Sequence, residues 1–228
     1  MTKADRNIPA AIKRTQLFRA LTPAAPELIA ANATTHDLPR GERLFRRGER
    51  CAALHIVANG RILLSIPGPD DAQKALEIVG SGNPVGLAAA LLGVAQPAQA
   101  DAIVDTLLVK IPRDAMLEIA AHHGDCALLL INALSREVCA LTADIEAFSL
   151  RSGRERIAAY LWQLAASGSA RSRTVTLPAK KSVIASRLNL TPEYFSRMLH
   201  DLAASGAIAV DAREITVLDP ERLRAPAR

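Results

Sequence analysis

The feature that most restricts this sequence is a change of period at Pro112. Upstream, from Leu38 to Ile111, apolar residues come in short runs such as Leu54-His55-Ile56-Val57, Ile62-Leu63-Leu64 and Leu107-Leu108-Val109, separated by Gly, Pro, Asp and Asn. Short runs between turn formers are strands. Downstream, Leu130, Leu134, Val138, Leu141, Ile145 and Phe148 follow one another at intervals of 4, 4, 3, 4 and 3, which keeps them on one stripe of a long helix and matches a coiled-coil seam. A chain ordered this way is an all-β unit feeding a long helix, and the fold class it predicts is α+β.

The flanks extend that plan. Between Ile8 and Asn32, the helical spacing of Ile12, Leu17, Phe18 and Leu21 predicts one or two short helices, with Thr22-Pro23 able to start a turn and an end before Thr34. Gly41, Gly48, Gly60, Gly82 and Gly86 stand where turns need positive φ or close backbone approach. Ser152-Gly153 interrupts the long stripe and marks a hinge. The predicted domains are 1–126, the all-β unit with its leading helices; 127–150, the pairing helix; and 151–228, a C-terminal domain. Leu134, Val138, Leu141 and Ile145 are expected at the seam between two copies.

Charge separates the same regions. Residues 151–228 hold 13 Lys/Arg against 7 Asp/Glu, residues 1–150 hold 15 against 16, and a basic C-terminal third suits a nucleic-acid partner. No apolar run reaches the length of a membrane span and Met1–Asn7 lacks a signal-peptide core, so a cytoplasmic protein with no membrane partner is expected. Cys51, Cys126 and Cys139 are spaced for neither a disulfide framework nor a metal site. No nucleophile–base pair or phosphate loop is visible, and His122-His123 are adjacent and so cannot face one site on a helix. An enzyme is not expected.

Lys181–Leu188 carries Val183, Ile184, Ala185 and Leu188 for a short helix; Asn189-Leu190 is a turn; Thr191-Pro192-Glu193 opens a second helix. Thr191 can accept from free backbone amides, Pro192 needs no amide partner at the first position, and Glu193 complements the positive helix end. Small Ala185 permits a close crossing and Asn189 tolerates a left-handed turn, so this is a helix-turn-helix. Phe195, Leu199 and Leu202 form its buried stripe. Thr191, Glu193, Tyr194, Ser196, Arg197 and His200 are the candidate DNA-facing residues, with Lys180, Lys181 and Arg187 placed for phosphates. Glu193 and Arg197, four apart, can support each other. Ile208–Val210 and Ile215–Val217 read as a hairpin wing.

With those motifs in hand, LPRGERLFRRGE, LHIVANGRILL and GNPVGLAAALLG resemble the cyclic-nucleotide-binding fold of the CRP/FNR superfamily over residues 36–112, and 154–223, above all LTPEYFSRMLHDLAASGAI, resembles its DNA-binding domain. The resemblance implies a β-roll sensor, a dimerisation helix and a winged helix-turn-helix acting on double-stranded DNA as a homodimer, with RNA polymerase as a further partner. Glu193, Ser196 and Arg197 match the FNR-like and DNR-like branch, which implies TTGAT-like half-sites. Arg can donate two bonds to guanine and Glu can accept from cytosine.

The resemblance also places an effector pocket at Val85, Gly86, Leu87, Leu91, Leu92 and Pro97. Leu87 and Pro97 stand where cyclic-nucleotide binders carry an acidic residue and an arginine, so cyclic AMP is not expected. Three cysteines cannot supply the four thiolates of an FNR-type iron–sulfur cluster. Haem remains open, with His36, His55, His122 and His123 as candidate ligands implied by DNR-like relatives.

Overall fold

The computed structural model describes Ile8, Ile12 and residues 24–68, 73–167 and 173–224. Ile8 and Ile12 are helical, and a helix α1 covers Ala24–Asn32 and ends before Thr34, as the spacing predicts; Leu17, Phe18, Leu21 and Thr22-Pro23 lie outside the described residues. Eight strands follow: β1 Thr34–Leu38, β2 Arg43–Phe45, β3 Ala53–Asn59, β4 Arg61–Pro67, β5 Gln73–Gly80, β6 Pro84–Val85, β7 Gln99–Ala102 and β8 Thr106–Pro112, with a short helix α2 (Leu87–Leu92) between β6 and β7. They form two antiparallel sheets, β1-β8-β3-β6 and β2-β7-β4-β5.

Period-2 alternation divides the strand side chains between two cores. Val57, Val85 and Leu108 join Phe45, Ile62, Val79 and Ala100 in one core. Leu54, Ile56, Val109 and Ile111 join Ile29, Met116 and Ile119 in the other, with α1 and α3 (Arg113–His122). All five glycines named above have positive φ. At Gly60 a Cβ would lie 2.6 Å from the Thr106 Cα, so the β3–β4 turn depends on a bare backbone there.

Helix α4 spans Gly124–Leu150, and the chain divides into two compact units within it, at Cys139/Ala140. Cys126, Leu129, Leu130 and Ala133 are buried in the first unit's core and Leu134 packs against it, whereas Val138, Leu141 and Ile145 are 62%, 57% and 67% exposed. Ile131 is exposed as well. The stripe is therefore shared: Leu130 belongs to its own domain, and a regular 3-4 row runs instead from Ile131 through Leu134, Val138, Leu141 and Ile145 to Phe148. The expectation that nothing here reaches membrane-span length is corrected too. An 18-residue window of α4 has mean hydropathy 1.5 and is only 22% buried, because apolar residues lie on two faces of one helix.

The second unit continues with α5 (Gly153–Ser167), β9 (Thr174–Thr176), α6 (Lys181–Arg187), α7 (Pro192–Ala204), β10 (Ile208–Asp211), β11 (Glu214–Val217) and α8 (Pro220–Arg224). Ser152 and Glu155 cap α5 reciprocally: the Ser152 amide donates to Glu155 Oε2 at 2.7 Å and the Glu155 amide to Ser152 Oγ at 3.3 Å. Strands β9, β10 and β11 form one antiparallel sheet, ordered β10-β11-β9.

Candidate nucleic-acid interface

The helix-turn-helix is built from short-range chemistry. Ile184 and Ala185 of α6 are fully buried. Asn189 takes φ +57°, the left-handed turn its side chain tolerates, and the Asn189 and Leu190 amides donate to Ser186 O and Ala185 O. Thr191 Oγ1 then accepts from the Tyr194 amide at 3.2 Å, and Pro192 occupies the first position of α7. Phe195, Leu199 and Leu202 are buried, which leaves Glu193, Ser196, Arg197 and His200 exposed. Beside them β10 and β11 pair in register from Ile208↔Val217 to Asp211↔Glu214, forming the wing.

Arg197 and Arg187 differ from expectation. Among the described residues no ion pair joins Glu193 and Arg197. The Arg197 Cζ instead lies 5.3 Å from the ring centroid of Tyr194, three residues back and equally a neighbour on the helix surface. Tyr194 is half-buried beside Gly153 of α5. Arg187 is engaged by Asp144, with Nη2 2.6 Å from Oδ2. Lys180 is exposed and Lys181 half-buried at the entrance of α6. Arg213, at the wing tip, turns inward and donates to Leu177 O at 2.7 Å. Asp144 and Gly153 had no sequence signal as partners of this site.

Two family matches cover most of the chain: the Cyclic nucleotide-binding domain over residues 35–123 and the Crp-like helix-turn-helix domain over 155–225. The chain belongs to the CRP/FNR superfamily of transcription regulators. A CRP-like cAMP-activated global transcriptional regulator of Mycobacterium tuberculosis is 24% identical over 95% of this chain and 98% of its own length. FixK2 from Bradyrhizobium japonicum shares the fold at TM-score 0.77 and 22% identity, covering 86% of this chain and 99% of that one. A CRP-family transcriptional regulator from Thermus thermophilus superposes at 0.67 with 27% identity, covering 84% and 97%. These relatives are regulators, not enzymes, and as a CRP/FNR protein the chain is a DNA-binding transcription regulator.

The residues expected at an effector pocket are divided between two cores and the surface. Val85 faces the core between the sheets; Leu87 and Leu91 pack toward the other core; Leu92 is 72% exposed and Pro97 exposed. Helical spacing explains this, since positions 87 and 91 share a face of α2 and 92 leaves it. Gln96 covers Gly86: its Nε2 donates to Gly86 O at 3.3 Å, and a Cβ at Gly86 would meet Gln96 Oε1 at 2.6 Å. Arg113 reaches back to donate to Leu91 O at 2.9 Å, closing the end of α2. Leu87 and Pro97, both uncharged, offer no ionic partner to an anionic ligand.

Of the candidate histidines, His36 is exposed and His122 Nδ1 contacts Glu118 O at 2.9 Å. His123 ends α3, its amide donating to Ile119 O. His55 alone is buried, 7% exposed, and its Nδ1 has no hydrogen-bond partner among the described residues. Burial first, then the Lys110 charge and His36, hold its imidazole down at about 4.

Proposed function

We propose that this regulator binds DNA as a homodimer in the cytoplasm, reads a palindrome of TTGAT-like half-sites, and acts on transcription through contact with RNA polymerase. The observation that carries the reading is the exposed row Glu193, Ser196, Arg197 and His200 on a helix whose start is fixed by Thr191 and Pro192. A row of polar side chains on a capped helix whose opposite face, Phe195, Leu199 and Leu202, is buried has the shape of a major-groove reader, with Arg197 for guanine and Glu193 for cytosine. Lys180 and Lys181 at the entrance of α6 supply phosphate contacts. The regular row from Ile131 to Phe148 supplies the pairing surface for a second α4.

The effector is proposed to be a small molecule other than cyclic AMP, because Leu87 is buried and Gln96 closes over Gly86. A second reading, haem, draws on His55, whose buried Nδ1 has no partner among the described residues; a haem-loaded preparation whose Soret band is unchanged by His55→Leu would remove His55 as its ligand. The function itself is tested by titrating TTGAT-N4-ATCAA and single-base variants at two salt concentrations. Equal affinity for every duplex would defeat sequence reading, and micromolar binding of cyclic AMP by calorimetry would defeat the effector assignment.

A further inference from the structure

Tyr194 is held from two sides, by its own helix cap and by the start of α5. Its amide is tied to Thr191 Oγ1 by the helix cap. Its ring reaches the first residue of α5, where a Cβ at Gly153 would lie 2.6 Å from Tyr194 Cε1 and 2.9 Å from both its hydroxyl and Leu190 Cδ2. Real Cβ atoms do not approach so closely, so the ring has this place only because residue 153 is glycine. The same ring lies under the Arg197 guanidinium, with 5.3 Å between Cζ and the ring centroid. Among the described residues Arg197 has no carboxylate within ion-pair distance.

We propose that Tyr194, wedged against Gly153, is a positioning residue that pre-aims the Arg197 guanidinium for base reading. The proposal rests on the reading of Arg197 as a base contact. A long cationic side chain loses rotamer freedom when it docks, and a platform that restricts it beforehand lowers that loss. The quadrupole of an aromatic face attracts the guanidinium without occupying its N–H donors, which stay available for two bonds to a guanine. Tyr194 thereby leaves the set of DNA contacts and becomes the link between the reading side chain and the start of α5.

The test is a coupling measurement on the full-length protein. Tyr194→Phe, Tyr194→Leu and Gly153→Ala are each made alone and with Arg197→Ala, and titrated against a TTGAT-N4-ATCAA duplex and one with the guanine replaced. A cation–π contact at an exposed site corresponds to roughly two- to fivefold in an equilibrium constant. Tyr194→Leu and Gly153→Ala are expected to lose that much discrimination at the guanine, Tyr194→Phe to retain it, and the losses to vanish once Arg197 is absent. Two results overturn the proposal: wild-type discrimination in Tyr194→Leu, or a Tyr194→Leu loss of equal size with and without Arg197, which marks a direct or merely structural role. Should Arg197→Ala weaken all duplexes alike, base reading by Arg197 fails, while the coupling between positions 194 and 197 still decides whether the ring positions it.

Discussion

Asp144 of α4 and Arg187 of α6 meet at 2.6 Å, with both side chains less than a third exposed. The pair lies 43 residues apart in the chain and ties the first helix of the helix-turn-helix to the last turns of α4. A charge-assisted bond with this geometry is stronger than an open surface pair. It also occupies a guanidinium that the sequence assigns to phosphate.

Removing Asp144 should expose that competition. Asp144→Ala is predicted to cost the C-terminal unit about 1 kcal/mol and to free Arg187 for the DNA backbone. Affinity for every sequence should then rise and the salt slope steepen by about one. Titration at two salt concentrations checks this. An unchanged slope would mean that Arg187 reaches no phosphate even when released.

Arg197 and Lys181 should fail differently. Arg197→Ala is predicted to cost about 1–3 kcal/mol on the guanine-containing half-site and to flatten discrimination at that base. Lys181→Ala should weaken all duplexes alike and reduce the salt slope by about one. The measurement is a titration of both variants against matched and single-base-changed duplexes. A uniform loss in Arg197→Ala would reassign it to the phosphates.

What could be read from the sequence was what local chemistry decides. Asn189, Thr191 and Pro192 shape a turn and a cap within four residues, and the left-handed φ and the hydroxyl–amide bond are where that chemistry puts them. Two caps of the same kind were legible and unread: Ser152 with Glu155, and Asp219 before Pro220, whose Oδ1 accepts from the Glu221 and Arg222 amides at the start of α8. The contacts of Asp144 with Arg187 and Gly153 with Tyr194 had no such signal, because they join residues about 40 positions apart. Periodicity misassigned Leu130 for a different reason. Helix α4 carries apolar residues on two faces, and spacing alone cannot say which face its own domain takes.

That division of faces gives a prediction about assembly. Val138→Glu with Ile145→Glu places charges on exposed apolar positions of the proposed seam and should convert a dimer to a monomer in sedimentation while each unit keeps its unfolding transition. Leu130→Glu, which buries a charge in the first unit's core, should instead unfold that unit. A Val138/Ile145 double variant that sediments like the wild type would place the interface elsewhere.

His55 should make the first unit sensitive to acid. The imidazole sits on β3 with Lys110 of β8 and Val85 of β6 as its cross-strand neighbours, and burial, the Lys110 charge and His36 lower its pKa to about 4. The folded unit therefore binds this proton more weakly than the unfolded chain, whose histidine titrates near its ordinary 6.5. Above 6.5 both states are neutral and nothing is lost. As pH falls from 6.5 toward 4 the unfolded state gains the proton first, and stability drops by up to about 3 kcal/mol at ~1.4 kcal/mol per unit. His55→Leu removes the titrating group and an unpartnered buried nitrogen together, so it should flatten this part of the profile with little cost at pH 7. Denaturant unfolding of wild type and variant at pH 7, 5.5 and 4.5 measures the difference. If both lose stability in parallel, His55 is not the group whose protonation opens the β-roll.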